Sequence, residues 1–281
     1  MIRIDRGAEP GNLPGIRDEE LKRVGAIAAS RAPTGDDIGA RYVTVRDVLR
    51  ARQFGKCAYC EWREQPKRND LEHYRPKSRY WWLAWTWENF LFACRNCNQF
   101  PAKGDQFPLE LGCRALNPHE QPPGEERPLL IDPASEDPLT HIQFVPERHK
   151  GHERWVPRAR GGSERGLETI RILHLDDADN LLTVYQEHVR DYIEPARQRI
   201  AEAIAADDGA RVRDTWKREV CSLLSPSMPL VALSRDALDH FFPLAVRQRW
   251  GLELDELRHQ LFVRAIEHRN HGGAGGAHGA R

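Results

Sequence analysis

The sequence predicts an α+β protein with a cysteine-bearing centre and a mainly helical C-terminal region. Three observations carry this. Two Cys-x-x-Cys pairs, Cys57/Cys60 and Cys94/Cys97, frame the middle of the chain. Proline- and glycine-rich sequence with short strand-like runs follows from 110 to 160. From about 164 to 268 the apolar spacing turns helical, as in LLTVYQEHVRDYIEPARQRIAEAIA and LDELRHQLFVRAIEH.

Taken in order, residues 1–53 form an N-terminal helical segment. Within it, 17–31 has a charged start, apolar spacing and a Pro-Thr-Gly break, and 43–53 predicts a second helix. Residues 54–109 hold the paired cysteines, a histidine beside a glutamate, and most of the tryptophans. Strands are expected at 129–132, 141–145 and 154–158 within the 110–160 extension. The helical region spans 161–270, with the join near 160 in RARGGSERG. The tail over 271–281 is low in complexity and predicts disorder. No internal repeat is visible.

Bulk properties narrow the function classes. The chain has 281 residues, 40% hydrophobic and 30% charged, which suits a soluble globular protein of one large or two small domains. The apolar run Tyr80 to Trp87, like every other uncharged stretch, falls short of the ~20 residues that cross a bilayer. The N-terminal stretch has no apolar signal core, so a cytoplasmic protein with no membrane partner is expected. A formal net charge of zero gives no global pull toward nucleic acid, so any such binding needs a local basic patch.

In a reducing compartment, paired Cys-x-x-Cys knuckles read as a metal site and not as disulfides. Four thiolates, from Cys57, Cys60, Cys94 and Cys97, complete a tetrahedral Zn²⁺ site with no open position, so this zinc would be structural. The 33 residues between Cys60 and Cys94 exceed the ~15–20 of a compact zinc ribbon, so something else is built between the knuckles. Cys113 and Cys221 stand alone and read as buried free thiols.

Between the knuckles runs DLEHYRPK, residues 70–77. Phosphodiester hydrolysis needs a base for water, a cation to offset charge on the phosphate, and basic side chains to hold the strand. His73 is the candidate base. On a strand, Glu72 and His73 point to opposite faces, so Glu72 can reach a metal while His73 addresses water. Asn98, just after the second knuckle where a helix is expected to begin, offers a second hard oxygen ligand for Mg²⁺ or Mn²⁺. Asn89 lies in a turn-like position, and Lys103 follows Asn98 on the same expected helix. Arg75, Lys77 and Arg79, with Arg63, Lys67 and Arg68, give the local basic excess expected to contact DNA phosphates. Trp81, Trp82, Trp85 and Trp87 read as core packing rather than as a base-stacking platform.

The ordered set of Cys57 and Cys60, Glu72 and His73 through Lys77, Glu88 and Asn89, Cys94, Cys97 and Asn98, then Lys103 and Gly104 resembles the HNH endonuclease family, in its H-N-N variant. The match covers about residues 54–109. It implies a ββα-metal core, with His73 activating water, Glu72 and Asn98 holding one divalent ion, and Asn89 tying the strand to the loop. In the family a basic residue usually stands about three positions after the last ligand. Lys103 stands five after Asn98, with Phe100 and Pro101 intervening. More narrowly, YWWLAWTWENFLFACRNCNQFPAKGDQFPL and the segments LLIDP, EDPLTHIQF and GLETIRILHL resemble the HNH nuclease subunit of Septu anti-phage systems and retron-linked relatives, to about residue 192. That resemblance implies an ATPase partner subunit.

Two other functions stay open on the residues alone. A zinc-stapled nucleic-acid or protein-binding module without catalysis explains the cysteines and the basic cluster. It does not explain why Glu72, His73, Asn89 and Asn98 coincide. An RNA-cleaving toxin on the same fold differs only in substrate.

Overall fold

The computed structural model describes residues 1–63, 69–177 and 181–272. Lys67 and Arg68, and the tail beyond 272, lie outside the described residues. The chain forms two compact units, Met1–Ile142 with Ala159–Leu175, and Gln143–Arg158 with Asp176–Arg281. It therefore passes between units at three points and not once near residue 160.

In the first unit, helix α1 spans Leu13–Ala28 and buries Leu13, Glu20 and Val24 on one face. A short α2, Gly35–Ile38, opens with a reciprocal cap between Thr34 and Asp37. The helix expected at 43–53 is split. A 3₁₀ turn over Arg41–Val45 leads into α3, Arg46–Arg52. Gln53 follows α3 and reaches across to β2, described next.

Strand β1, Asn69–His73, pairs antiparallel with β2, Phe90–Cys94, in a register that sets Asn69 opposite Cys94 and His73 opposite Phe90. All five β2 residues are buried, so β2 is the spine of this unit. The Gln53 amide takes both backbone groups of Phe92: Nε2 donates to Phe92 O at 2.8 Å, and Phe92 N donates to Oε1 at 2.9 Å. Helix α4, Arg95–Asn98, follows β2 at once. The four tryptophans of the connection between β1 and β2 are all buried, in the packing role the sequence suggested.

The segment 129–132 is not a strand. Its neighbour Pro128 makes one isolated bridge with Leu109, and Ile131 N bonds the Thr169 hydroxyl, so side-chain and loop partners replace a ladder. Helix α5, Glu164–Leu173, is capped by Ser163. A Cβ at Gly166 would stand 2.2 Å from the His141 carbonyl, so only glycine admits this approach. His141 holds Ser163 through Nδ1 (2.8 Å) and meets Glu136 through Nε2 (3.0 Å).

The second unit holds most of β3, Ile142–His149, and β4, His152–Ala159. They pair across the two-residue turn Lys150-Gly151, both at positive φ as such a turn requires. Among the described residues the helices that follow are α6 (Leu182–His188), α7 (Glu194–Ala205), α8 (Gly209–Leu223), α9 (Val231–Phe241), α10 (Leu244–Trp250) and α11 (Asp255–Gly272). A π-helical turn over Val189–Ile193 joins α6 to α7. Phe144, Trp155, Tyr185 and Trp216 are buried in this unit, and Trp216 donates its indole N–H to Glu253 O at 2.7 Å. Cys113 and Cys221 are free and half-buried.

Candidate active site

The cysteine frame is built first. Cys57 and Cys60 come from the turn after α3, Cys94 ends β2, and Cys97 lies in α4. The four Sγ atoms all lie within 4.8 Å of one another and are buried, and Cys60 Sγ stands 3.8 Å from Cys94 Sγ. Four thiolates about 2.3 Å from a shared tetrahedral ion would be roughly 3.8 Å apart, so the site fits zinc. The knuckle is closed by Tyr59 N donating to Cys57 Sγ at 3.4 Å and by Ala58 N donating to Phe92 O at 2.9 Å. Because Asn69 faces Cys94 and His73 faces Phe90, the staple holds one end of the strand pair and the histidine stands at the other. The span between them is about 13 Å.

His73 is buried between Tyr42 and Phe90, with ring centroids at 4.6 and 5.2 Å, both edge-on. Its Nε2 lies 3.0 Å from Ala84 O. A carbonyl only accepts, so Nε2 carries the proton and Nδ1 is the basic nitrogen. Burial pushes the imidazole pKa down to about 3, so the ring is neutral across the physiological range.

Glu72 is also buried. Its Oε1 lies 2.5 Å from Lys103 Nζ and 3.4 Å from the Tyr59 hydroxyl. Burial pushes the carboxyl up to about 7, against the opposing pull of Lys103. Lys103 is not on a helix. It lies in the turn after α4, 1% exposed, and also donates to His73 O at 2.9 Å. Asn98 is the last residue of α4 and not its first, so it caps nothing at that helix's start; Cys94 takes the N-cap position.

Asn89 closes the connection between the strands. Its Oδ1 accepts from Arg75 N at 2.8 Å, and its Nδ2 donates to Arg75 O at 3.1 Å and to Leu83 O at 3.2 Å. Arg75 itself, expected on a phosphate, is turned inward. Its Nε lies 2.6 Å from Glu126, which also accepts from the Tyr80 hydroxyl, and its guanidinium stacks against Tyr74 and Phe107. Arg79 is exposed and bonds Phe107 O. Arg63 is exposed as well.

A cavity of about 470 Å³ gathers Glu72, His73, Lys77 and Asn98. It brings in residues the sequence did not single out: Tyr42, Arg46, Asp70 and Asp105. Asp70 sits two residues before Glu72, so the period of a strand could have flagged it. Tyr42 and Arg46 come from far upstream and carry no local signal. Lys77 Nζ lies 2.6 Å from the Tyr42 hydroxyl. Asp70, Glu72, Asp105 and the Asn98 amide line this cavity and are hard oxygen donors by type, but among the described residues the group of three or more His, Cys, Asp or Glu close enough to hold an ion is the four cysteines. Those same carboxylates repel a phosphate unless a cation joins them.

No family model matches the chain, and no solved structure matches it. Septu protein PtuB of Bacillus mycoides (strain KBAB4) is 29% identical over 195 residues, spanning 62% of this chain and 63% of that protein. Septu protein PtuB of Bacillus thuringiensis is 28% identical over 185 residues, spanning 65% and 57%. A stretch of 103 residues is 30% identical to Septu protein PtuA of Bacillus mycoides (strain KBAB4), spanning 32% of this chain and 14% of that protein. The chain thus spans less than two thirds of the length of the PtuB relatives it matches.

Proposed function

We propose that this protein is a metal-dependent HNH-type endonuclease that hydrolyses DNA, working as the nuclease of an anti-phage Septu assembly beside an ATPase subunit. The observation that carries the reading is the place of His73: Nε2 is committed to Ala84 O, which leaves Nδ1 as the nitrogen to take a proton, and the ring lines one cavity with Glu72 and Asn98. The strand pair followed directly by α4 supports a ββα-metal core. The ATPase partner rests on the resemblance to Septu nuclease subunits. A cytoplasmic site fits four buried thiols kept reduced for zinc.

In this reading His73 takes a proton from water as its oxygen forms the new bond to phosphorus. The bond to the 3′ oxygen breaks and that oxygen gains a proton, leaving a 5′ phosphate. A divalent ion held by Glu72 and Asn98 would offset charge on the phosphate and the leaving oxygen. Asn89 keeps the loop closed, and Lys77 meets the strand.

The test is nicking of supercoiled plasmid by wild type and His73→Ala in Mg²⁺, Mn²⁺ or EDTA, with zinc content and fold checked in both. Metal-dependent nicking absent only in the variant supports the reading. Equal nicking by both ends the base assignment. A second reading has one observation in its favour: the Lys103 ammonium already neutralises Glu72, as a metal-free binding module would need. Such a module binds nucleic acid equally with Mg²⁺ and with EDTA.

A further inference from the structure

Phe100 stands 90% exposed on the wall of the cavity that holds His73 and Asn98. A single exposed ring is ordinary on a protein surface, but this one lines the cavity of the candidate base. The loop beneath it is not loose. The turn that carries it is pinned back onto α4, with Lys103 N donating to Cys97 O at 3.1 Å and Gly104 N donating to Asn98 O at 2.9 Å. The Lys103 ammonium anchors the same turn to His73 O, and the Gln106 amide donates to Ala102 O at 2.6 Å. The backbone that carries the ring is thus held beside the candidate base. Arg46 and Lys77 line the same cavity, so cations for the backbone and a flat apolar face for a base occur together.

We infer that Phe100 is a stacking platform that seats the nucleobase beside the scissile phosphate, and that the substrate is therefore DNA with an unpaired nucleotide at that point. The inference rests on the nuclease reading above. A base inside a duplex has both faces covered by its neighbours and none to offer Phe100. A nucleotide in a single strand, bubble or flap has a free face, and base–aromatic stacking tolerates any sequence. With the phosphate at His73 and the backbone passing Arg46 and Lys77, one base comes to lie against Phe100. Phe100 is then a positioning residue that touches no reacting atom.

The experiment uses the full chain carrying His73→Ala, which binds without cutting, in Mg²⁺. Its affinity for a labelled single strand and for blunt duplex is compared with those of the same chain carrying Phe100→Ala or Phe100→Trp. An abasic nucleotide is then walked through the single strand. The expected result is single-strand binding weakened about 5- to 100-fold by Phe100→Ala, restored by Phe100→Trp, with duplex binding unchanged. At one abasic position the original chain loses the same factor and the Phe100→Ala chain loses nothing. In cleaving protein with native His73, Phe100→Ala raises KM more than it lowers kcat. Equal binding with and without the ring overturns the inference, and so does a loss that ignores the abasic site, which would mark Phe100 as a protein-contact residue. If wild type nicks DNA in the plasmid assay, such a result removes the platform and leaves the nuclease. If the chain neither nicks nor binds DNA, both fall.

Discussion

The ammonium of Lys103 and the carboxylate of Glu72 form an ion pair inside the protein, with Nζ 2.5 Å from Oε1 and the lysine 1% exposed. Neither group can turn to water, so each depends on the other. Removing Lys103 leaves a buried carboxyl already pushed up to about 7, which takes a proton and loses its hydrogen-bond partner at a cost of about 1–3 kcal/mol. Lys103→Met should therefore destabilise by that order in urea unfolding. Glu72→Gln with Lys103→Met should cost clearly less than the two singles added. Additive losses would mean the pair is not coupled.

Zinc removal should unmake the site from its far end. Cys94 closes both the metal frame and the last register pair of β1 and β2. Metal analysis should find one zinc per chain from this frame, and Cys94→Ser should lose it. The variant should also lose any cleavage, although His73 is about 13 Å along the strand pair. Retained zinc in Cys94→Ser would refute the four-thiolate frame.

Asn89→Ala deletes three buried hydrogen bonds and orphans both backbone groups of Arg75. The expected loss is about 2–4 kcal/mol in stability. Cleavage by the folded variant should fall while zinc content stays at the wild-type level, because Asn89 touches no cysteine. A stable, fully active Asn89→Ala would remove its loop-closing role.

Glu219 gives a pH prediction in the second unit. Hydrogen bonds from Arg199, aided by Arg218 and opposed by burial, hold its carboxyl below the usual value of 4.5. The unfolded chain then binds more protons than the folded one just below pH 4.5, so the contribution is complete above that pH and drains as pH falls through it. Glu219→Gln should cost about 1–2 kcal/mol at pH 7. The gap between variant and wild type should narrow by pH 3. Thermal melts at the two pH values check it, and a constant gap would contradict the linkage.

The parts of the site that were legible in sequence are the ones built from neighbours. Glu72, His73, Cys94, Cys97 and Asn98 lie within one strand pair and one helical turn, and Cys57 and Cys60 within one knuckle, so their spacing carries their geometry. The Arg75 ion pair was not legible because its partner, Glu126, lies fifty-one residues on and gives no local sign. The run at 129–132 has strand-like composition, yet Ile131 spends its N–H on the Thr169 hydroxyl from α5, a contact no window of sequence can contain. Asn98 came out at the wrong end of its helix because α4 is only four residues long, too short for a capping pattern to register.

The Gln53 amide bears on how this chain behaves in a crowd. In a two-stranded sheet each strand has one outer side, which invites a stranger's backbone to add to it. Along β2 that side is already taken. Gln53 and Ala58 N occupy Phe92, and Arg6 Nε occupies Phe90 O at 2.8 Å. A wholly apolar strand is thereby sealed against templated growth by two polar side chains and a neighbouring amide. Gln53→Leu, which keeps the bulk and deletes the amide, should leave the fold recognisable and make the protein self-associate in proportion to its concentration.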